Sequence, residues 1–166
     1  MSASVHASCV LMGRAGEGFG APSHAGILLK GPSGSGKSDL ALRLIGHGGM
    51  LVADDRTEVF LDGTALAARA PGALAGLLEI RGAGIVELPH AATAHIFLVV
   101  ELVHPAQIVR LPEPEHYAPP SSLALPCKYW PPLMRLTASE PSAVARIAAA
   151  VAAHAHRRFR HACPAQ

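Results

Sequence analysis

Lysine and aspartate are scarce in this chain. Only three lysines (Lys30, Lys37, Lys128) and four aspartates (Asp39, Asp54, Asp55, Asp62) occur in 166 residues, so a cluster of either calls for a reason. Aromatic residues make up 4% and there is no dense basic stripe. Both halves of a nucleic-acid platform, stacking rings and a phosphate-tracking surface, are therefore missing, and no nucleic acid is expected as partner. The three cysteines, Cys9, Cys127 and Cys163, show no Cys-x-x-Cys spacing. They suit a reducing cytoplasm better than a disulfide scaffold. No apolar run is long enough to span a bilayer, and the N-terminus lacks a basic n-region. The sequence thus reads as a soluble, cytoplasmic protein with no membrane partner. Half of the residues are hydrophobic and no long polar tract interrupts them, so residues 1–166 are expected to form one domain with a proper core.

What is present is concentrated early. Gly31-Pro32-Ser33-Gly34-Ser35-Gly36-Lys37-Ser38 fits Gly-x-x-x-x-Gly-Lys-Ser. An apolar run, Gly26-Ile27-Leu28-Leu29, precedes it, and Asp39 to Ile45 reads as a helix ended by Gly48-Gly49. Strand, glycine-rich loop and helix in that order make a phosphate-binding loop. Its backbone N–H groups form an anion nest, and the helix N-terminus adds partial positive charge. Lys37 is placed to reach the outer phosphates of a nucleoside triphosphate, and the Ser38 hydroxyl to ligate magnesium. The plain alternative is a glycine-rich turn that happens to contain Lys-Ser.

Asp54 and Asp55 end the apolar run Met50-Leu51-Val52-Ala53, which has the character of a strand buried on both faces. An acidic pair at the carboxyl end of such a strand is well placed to meet magnesium and a reacting hydroxyl. A solvated turn is the competing reading. The rest of the chain predicts a strand over 5–12, a turn or loop over 13–24, and a hairpin from Thr57–Leu61 through Asp62-Gly63 into Thr64–Ala67. A strand-like run follows at 77–82, and a central strand at 96–102. Recurrent prolines predict irregular chain over 104–132. An alanine-rich helix is expected over 142–158, with Ser139 or Thr137 as cap and Arg157, Arg158 and Arg160 at its carboxyl end. The fold class expected is α/β, a P-loop nucleotide-binding domain with a mixed β-sheet. His154, His156, His161 and Cys163 are set aside as a metal site, because residues two apart on a helix point in different directions.

His6, the Gly31–Ser38 loop, Leu51-Val52-Ala53-Asp54-Asp55 and Leu78-Glu79-Ile80-Arg81-Gly82-Ala83-Gly84-Ile85 occur in that order. Together they resemble the catalytic domain of the HPr kinase/phosphorylase family, from about Val5 to Glu87 and more faintly beyond. The resemblance implies a fold similar to the nucleotide-binding core of phosphoenolpyruvate carboxykinase. It also implies a serine of the phosphocarrier protein HPr as acceptor, ATP and Mg2+ as cofactors, and a homo-oligomer, a hexamer in the family. It assigns one of Asp54 and Asp55 as the proton acceptor, with preference for Asp55, and the other to magnesium. Glu79 becomes a second magnesium ligand, His6 the active-site histidine and Arg110 a catalytic arginine of the second half. Longer members carry a further N-terminal domain, whereas here the catalytic resemblance begins almost at once. The family's loop Val-Arg-Pro-Gly-Arg-Asn, linked to dephosphorylation, has its nearest stretch here in Leu136–Pro141, which lacks both arginines. The kinase direction is therefore the stronger expectation. Two alternatives remain open: a small-molecule kinase with the same loop and Asp pair, and a nucleotide-sensing module without phosphotransfer.

Overall fold

The computed structural model describes residues 1–159. In chain order the strands are β1 (Ser2–Leu11), β2 (Gly26–Lys30), β3 (Met50–Ala53), β4 (Arg56–Asp62), β5 (Ala65–Arg69), β6 (Leu77–Ile80), β7 (Gly84–Glu87), β8 (Ala94–Leu102), β9 (Glu115–His116) and β10 (Pro132–Leu136). Two helices, α1 (Lys37–Gly46) and α2 (Ala143–Ala155), complete the frame. Cys163, His161 and Arg160 lie outside the described residues.

Two long strands organise the molecule. The first half of β1 pairs with β4, and its second half lies between β2 and β3, antiparallel to all three. Likewise β8 begins against β5 and continues parallel to β2 on one side and β10 on the other. Each long strand therefore changes partners along its length, and the circuit β2-β1-β4-β5-β8 closes through the β2–β8 pairing. The sheet is mixed, as expected, and β8 is central to it. Because β1 opposes both β2 and β3, those two strands run the same way and end at one edge. That edge carries the Gly31–Ser38 loop and the Asp54–Asp55 pair.

Alternation along the strands divides the interior in two. Ile27, Leu29, Leu98 and Val100 face α1 and α2, where Leu40, Leu44, Ile147 and Val151 cover them. Leu28, Val99, Cys9 and Val52 face the other way, onto Val59, Leu66 and Ala68 of the β4–β5 hairpin and onto Tyr117 and Leu123 of the proline-rich segment. That segment is thus a lid on a core as well as a connection. Its prolines do keep regular structure short, but β10 starts at Pro132, the one strand position where a missing N–H costs least. The sequence reading of an irregular stretch through Pro132 hid this parallel strand.

Two local expectations are corrected. Ser142, not Ser139 or Thr137, precedes α2, and it makes no side-chain cap bond. Thr137 is engaged elsewhere, its Oγ1 donating to the Val103 carbonyl at 3.2 Å. The loop read at 13–24 contains a 3-10 turn over Gly13–Phe19 that packs on α2. His156 Nε2 donates to the Gly20 carbonyl at 2.9 Å, a tether that occupies this histidine.

The core placement of Cys9 has a chemical consequence. Its burial is complete and pushes the thiol up to about 12, whereas Cys127 is exposed. Thiolate, the reactive form, is thus suppressed at Cys9. Iodoacetamide at pH 8 is expected to alkylate Cys127 in the native protein and Cys9 only after unfolding. Peptide mapping that found both labelled at equal rates would show that β1 opens in the native state.

Candidate functional site

The loop leaves β2 at Gly31 and closes at Gly36, which has φ 93° and stands at the N-cap of α1. A left-handed residue is required there, and a Cβ at that position would sit 2.7 Å from the Cβ of Ala138. The segment after β10 therefore packs directly on the loop. Arg43 of α1 holds it there, donating to the carbonyls of Ala138 at 2.6 Å, Glu140 at 3.0 Å and Pro141 at 3.2 Å. Sequence reasoning missed this role; nothing in the local pattern distinguishes Arg43 from an ordinary exposed helix arginine.

Lys37 is buried, and its ammonium donates to the Gly31 carbonyl at 2.9 Å and the Pro32 carbonyl at 3.1 Å. Burial lowers its pKa, while the nearby Asp55 and Asp54 charges act in the opposite sense. Ser38 follows on the first turn of α1. Its Oγ donates to Asp54, lying 2.8 Å from Oδ1 and 3.1 Å from Oδ2. Asp54 is 8% exposed and takes a second donor from Ser8 of β1, whose Oγ lies 2.6 Å from Oδ1. Two hydroxyls from two elements thus hold one buried carboxylate.

Asp55 is placed quite differently. Its φ of 60° is left-handed, a conformation that aspartate tolerates better than most residues. The turn exposes its side chain to 79% and brings it against His6, with Nε2 and Oδ1 2.9 Å apart. Its backbone is tied down as well, since the Asp55 carbonyl accepts from the Ala7 N–H at 3.2 Å. His6 reaches this edge because Ala7 pairs with Lys30, the last residue before the loop. A recess of about 460 Å³, lined by His6, Ser33, Asp55 and Arg56 among others, opens here. On the other side of the loop a recess of about 790 Å³ runs past Val103, His104, Thr137 and Ser139.

The structure therefore brings together Gly31 to Ser38, Asp54, Asp55 and His6. It does not join the other two expected residues to them. Glu79 is exposed on β6, in the separate β6–β7 ribbon that packs against α1, and no hydrogen bond or ion pair among the described residues ties it to the loop. Arg110 is exposed in the irregular chain after β8 and lines neither recess. Among the described residues no cluster of three or more His, Cys, Asp or Glu side chains could cage a metal by itself. The donors present are Ser38 and Asp54, hard oxygens of the kind magnesium accepts when phosphates and water supply the remainder.

A model of the HPr serine kinase C-terminal domain matches residues 22–111, a span that includes the loop, both aspartates, Glu79 and Arg110 but not His6. The HPr kinase/phosphorylase of Levilactobacillus brevis is 48% identical over 64 residues, 38% of this chain and 21% of that protein. That of Lactobacillus acidophilus is 42% identical over 87 residues, 48% of this chain and 27% of its own length. The matches thus span about a fifth to a quarter of these relatives. The structure of the HPr(Ser) kinase/phosphatase from Coxiella burnetii is similar with a TM-score of 0.71 and 21% identity, over 93% of this chain and 97% of that one. At that identity the likeness establishes the fold alone.

Gly36 offers a direct test of the loop's geometry. Gly36→Ala forces a Cβ into a left-handed site already in contact with Ala138, at a cost of about 1–2 kcal/mol from the backbone conformation alone. The expected result is a melting temperature lowered by roughly 3–8 °C with weakened nucleotide binding. Unchanged values for both in calorimetry would contradict the packing described.

Proposed function

This chain belongs to the family of HPr serine kinase C-terminal domains, and from that membership we propose that it transfers the γ-phosphoryl group of ATP to a serine of HPr. One observation carries the reading. The buried Asp54 engages Ser38 at the start of α1, while its neighbour Asp55 turns outward beside His6. Phosphoryl transfer needs alignment and charge neutralisation above all, with modest help from a base. In this assignment the loop N–H groups and Lys37 hold the phosphates, and Ser38 with Asp54 would hold magnesium. When bound, the ion would neutralise charge on the β- and γ-phosphates. Glu79 is assigned as a further ligand by resemblance alone.

Asp55 is the assigned proton acceptor for the seryl hydroxyl. It is exposed, close to Lys37 in charge terms, and oriented by His6. The openness of its recess favours a protein acceptor over a small alcohol, which calls for a closed pocket. The nucleoside half of ATP has room in the larger recess beyond the loop. The kinase direction is favoured over phosphorolysis: the Leu136–Pro141 segment brings no arginine, and the nearby Arg43 is committed to backbone carbonyls. A base typically contributes about 10²–10⁴-fold.

Purified protein is to be incubated with magnesium-ATP and HPr from the same organism and read by intact mass. One phosphoryl group gained on HPr, and lost with Lys37→Ala, is the expected result. Asp55→Asn should lower turnover by about 10²–10⁴-fold while nucleotide affinity stays close to that of the wild type. Absence of any mass gain despite ATP binding would sink the HPr assignment and favour a small-molecule acceptor or a nucleotide sensor.

A further inference from the structure

Ser8 is fully buried on β1, between Ala7 and Cys9. Those neighbours face the core shared with the β4–β5 hairpin, so by strand alternation Ser8 faces the α1 side, as Val10 does further along. Among the buried residues of β1 it is the one that carries a hydroxyl. A buried hydroxyl is stable there only with a partner, and its partner is Asp54 at 2.6 Å. Such a short bond is typical of a hydroxyl donating to an ionised carboxylate.

The geometry points to Ser8 as a positioning residue that fixes the Asp54 carboxylate for the metal held with Ser38, an assignment that rests on the kinase reading above. Asp54 leaves β3 at the last residue before a left-handed turn, where the backbone alone does not set its side-chain torsion. Ser38 approaches both carboxylate oxygens, at 2.8 and 3.1 Å, and so leaves rotation of the carboxylate plane only weakly determined. Ser8 approaches Oδ1 alone. It thereby selects one oxygen for the protein interior and leaves Oδ2 as the less encumbered donor. It also supplies a donor from a different strand, so the carboxylate keeps its place when the Ser38 oxygen is drawn to a cation. Groups that orient metal-binding side chains commonly contribute 10–100-fold to metal affinity.

The competing explanation is that a small residue is needed at this tight place and the hydroxyl merely satisfies itself. Ser8→Ala separates the two, because it removes one oxygen and adds no bulk. Manganese binding to the full chain, in the presence of a non-hydrolysable ATP analogue, is measured by electron paramagnetic resonance. Ser8→Ala is expected to weaken manganese binding about tenfold or more, with metal-free nucleotide binding unchanged. Ser8→Thr, which keeps the hydroxyl, is expected to bind manganese nearly as the wild type does. Wild-type affinity in Ser8→Ala, alongside weakened binding in Asp54→Asn, would overturn the inference and leave the kinase reading standing. Equal weakening in the alanine and threonine variants would also overturn it, since the hydroxyl would then not be the cause. A wild type that holds manganese but leaves HPr unphosphorylated removes the kinase reading and keeps Ser8 in its role. A wild type that holds no manganese overturns both.

Discussion

The buried carboxylate of Asp54 is the constraint on which the site depends. A charge removed from water is costly unless hydrogen bonds replace its hydration. Here the replacements come from Ser38 on α1 and Ser8 on β1, while the carboxylate itself follows directly on β3. Three elements, one of them distant in sequence from the other two, are thereby referenced to one point. No bond of that group can be lost without leaving part of a buried charge unsatisfied. Stability and the proposed function consequently bear on the same atoms.

Topology makes this convergence possible. With β1 inserted antiparallel between β2 and β3, the loop and the aspartate pair emerge at one edge, a strand's width apart. The same strand carries Ser8 beneath them and His6 beside them. Arg43 secures the opposite flank by gathering three carbonyls of the turn before α2. Charge-assisted bonds of this kind exceed ordinary backbone pairs in strength. The loop is thus braced on both sides by contacts between residues 16 to 98 positions apart, which local sequence patterns do not reveal.

The sequence carried the parts of the site that are contiguous. The Gly31–Ser38 loop matches a spacing in which backbone N–H groups can converge on an anion, and the aspartate pair followed a recognisable buried run. The central strand was legible because Ile96–Val100 is apolar on both faces. What escaped was long-range or conditional. Ser8 looked like one more residue of a strand, and only the position of Asp54 gives its hydroxyl a purpose. The strand starting at Pro132 was obscured by its own prolines, and the cap of α2 by a turn whose hydroxyl Thr137 is engaged with Val103. Glu79 and Arg110 rested on resemblance, and no hydrogen bond or ion pair among the described residues joins either to the loop.

The adjacency of Asp54 and Asp55 raised a question that sequence could not answer, since successive residues on a strand face opposite ways only while the strand continues. The answer lies in one dihedral angle. With φ at 60°, Asp55 leaves the sheet abruptly, so its carboxylate reaches solvent and His6 while that of Asp54 stays buried. Two chemically identical groups thereby acquire environments that suit opposite tasks. One is dry, doubly hydrogen-bonded and rigid, as a cation ligand should be. The other is wet and accessible, and a proton acceptor for an incoming hydroxyl has to be reachable. An extended conformation at Asp55 would break the backbone bond to Ala7 and carry the carboxylate away from His6, so the left-handed turn itself is what separates the two environments.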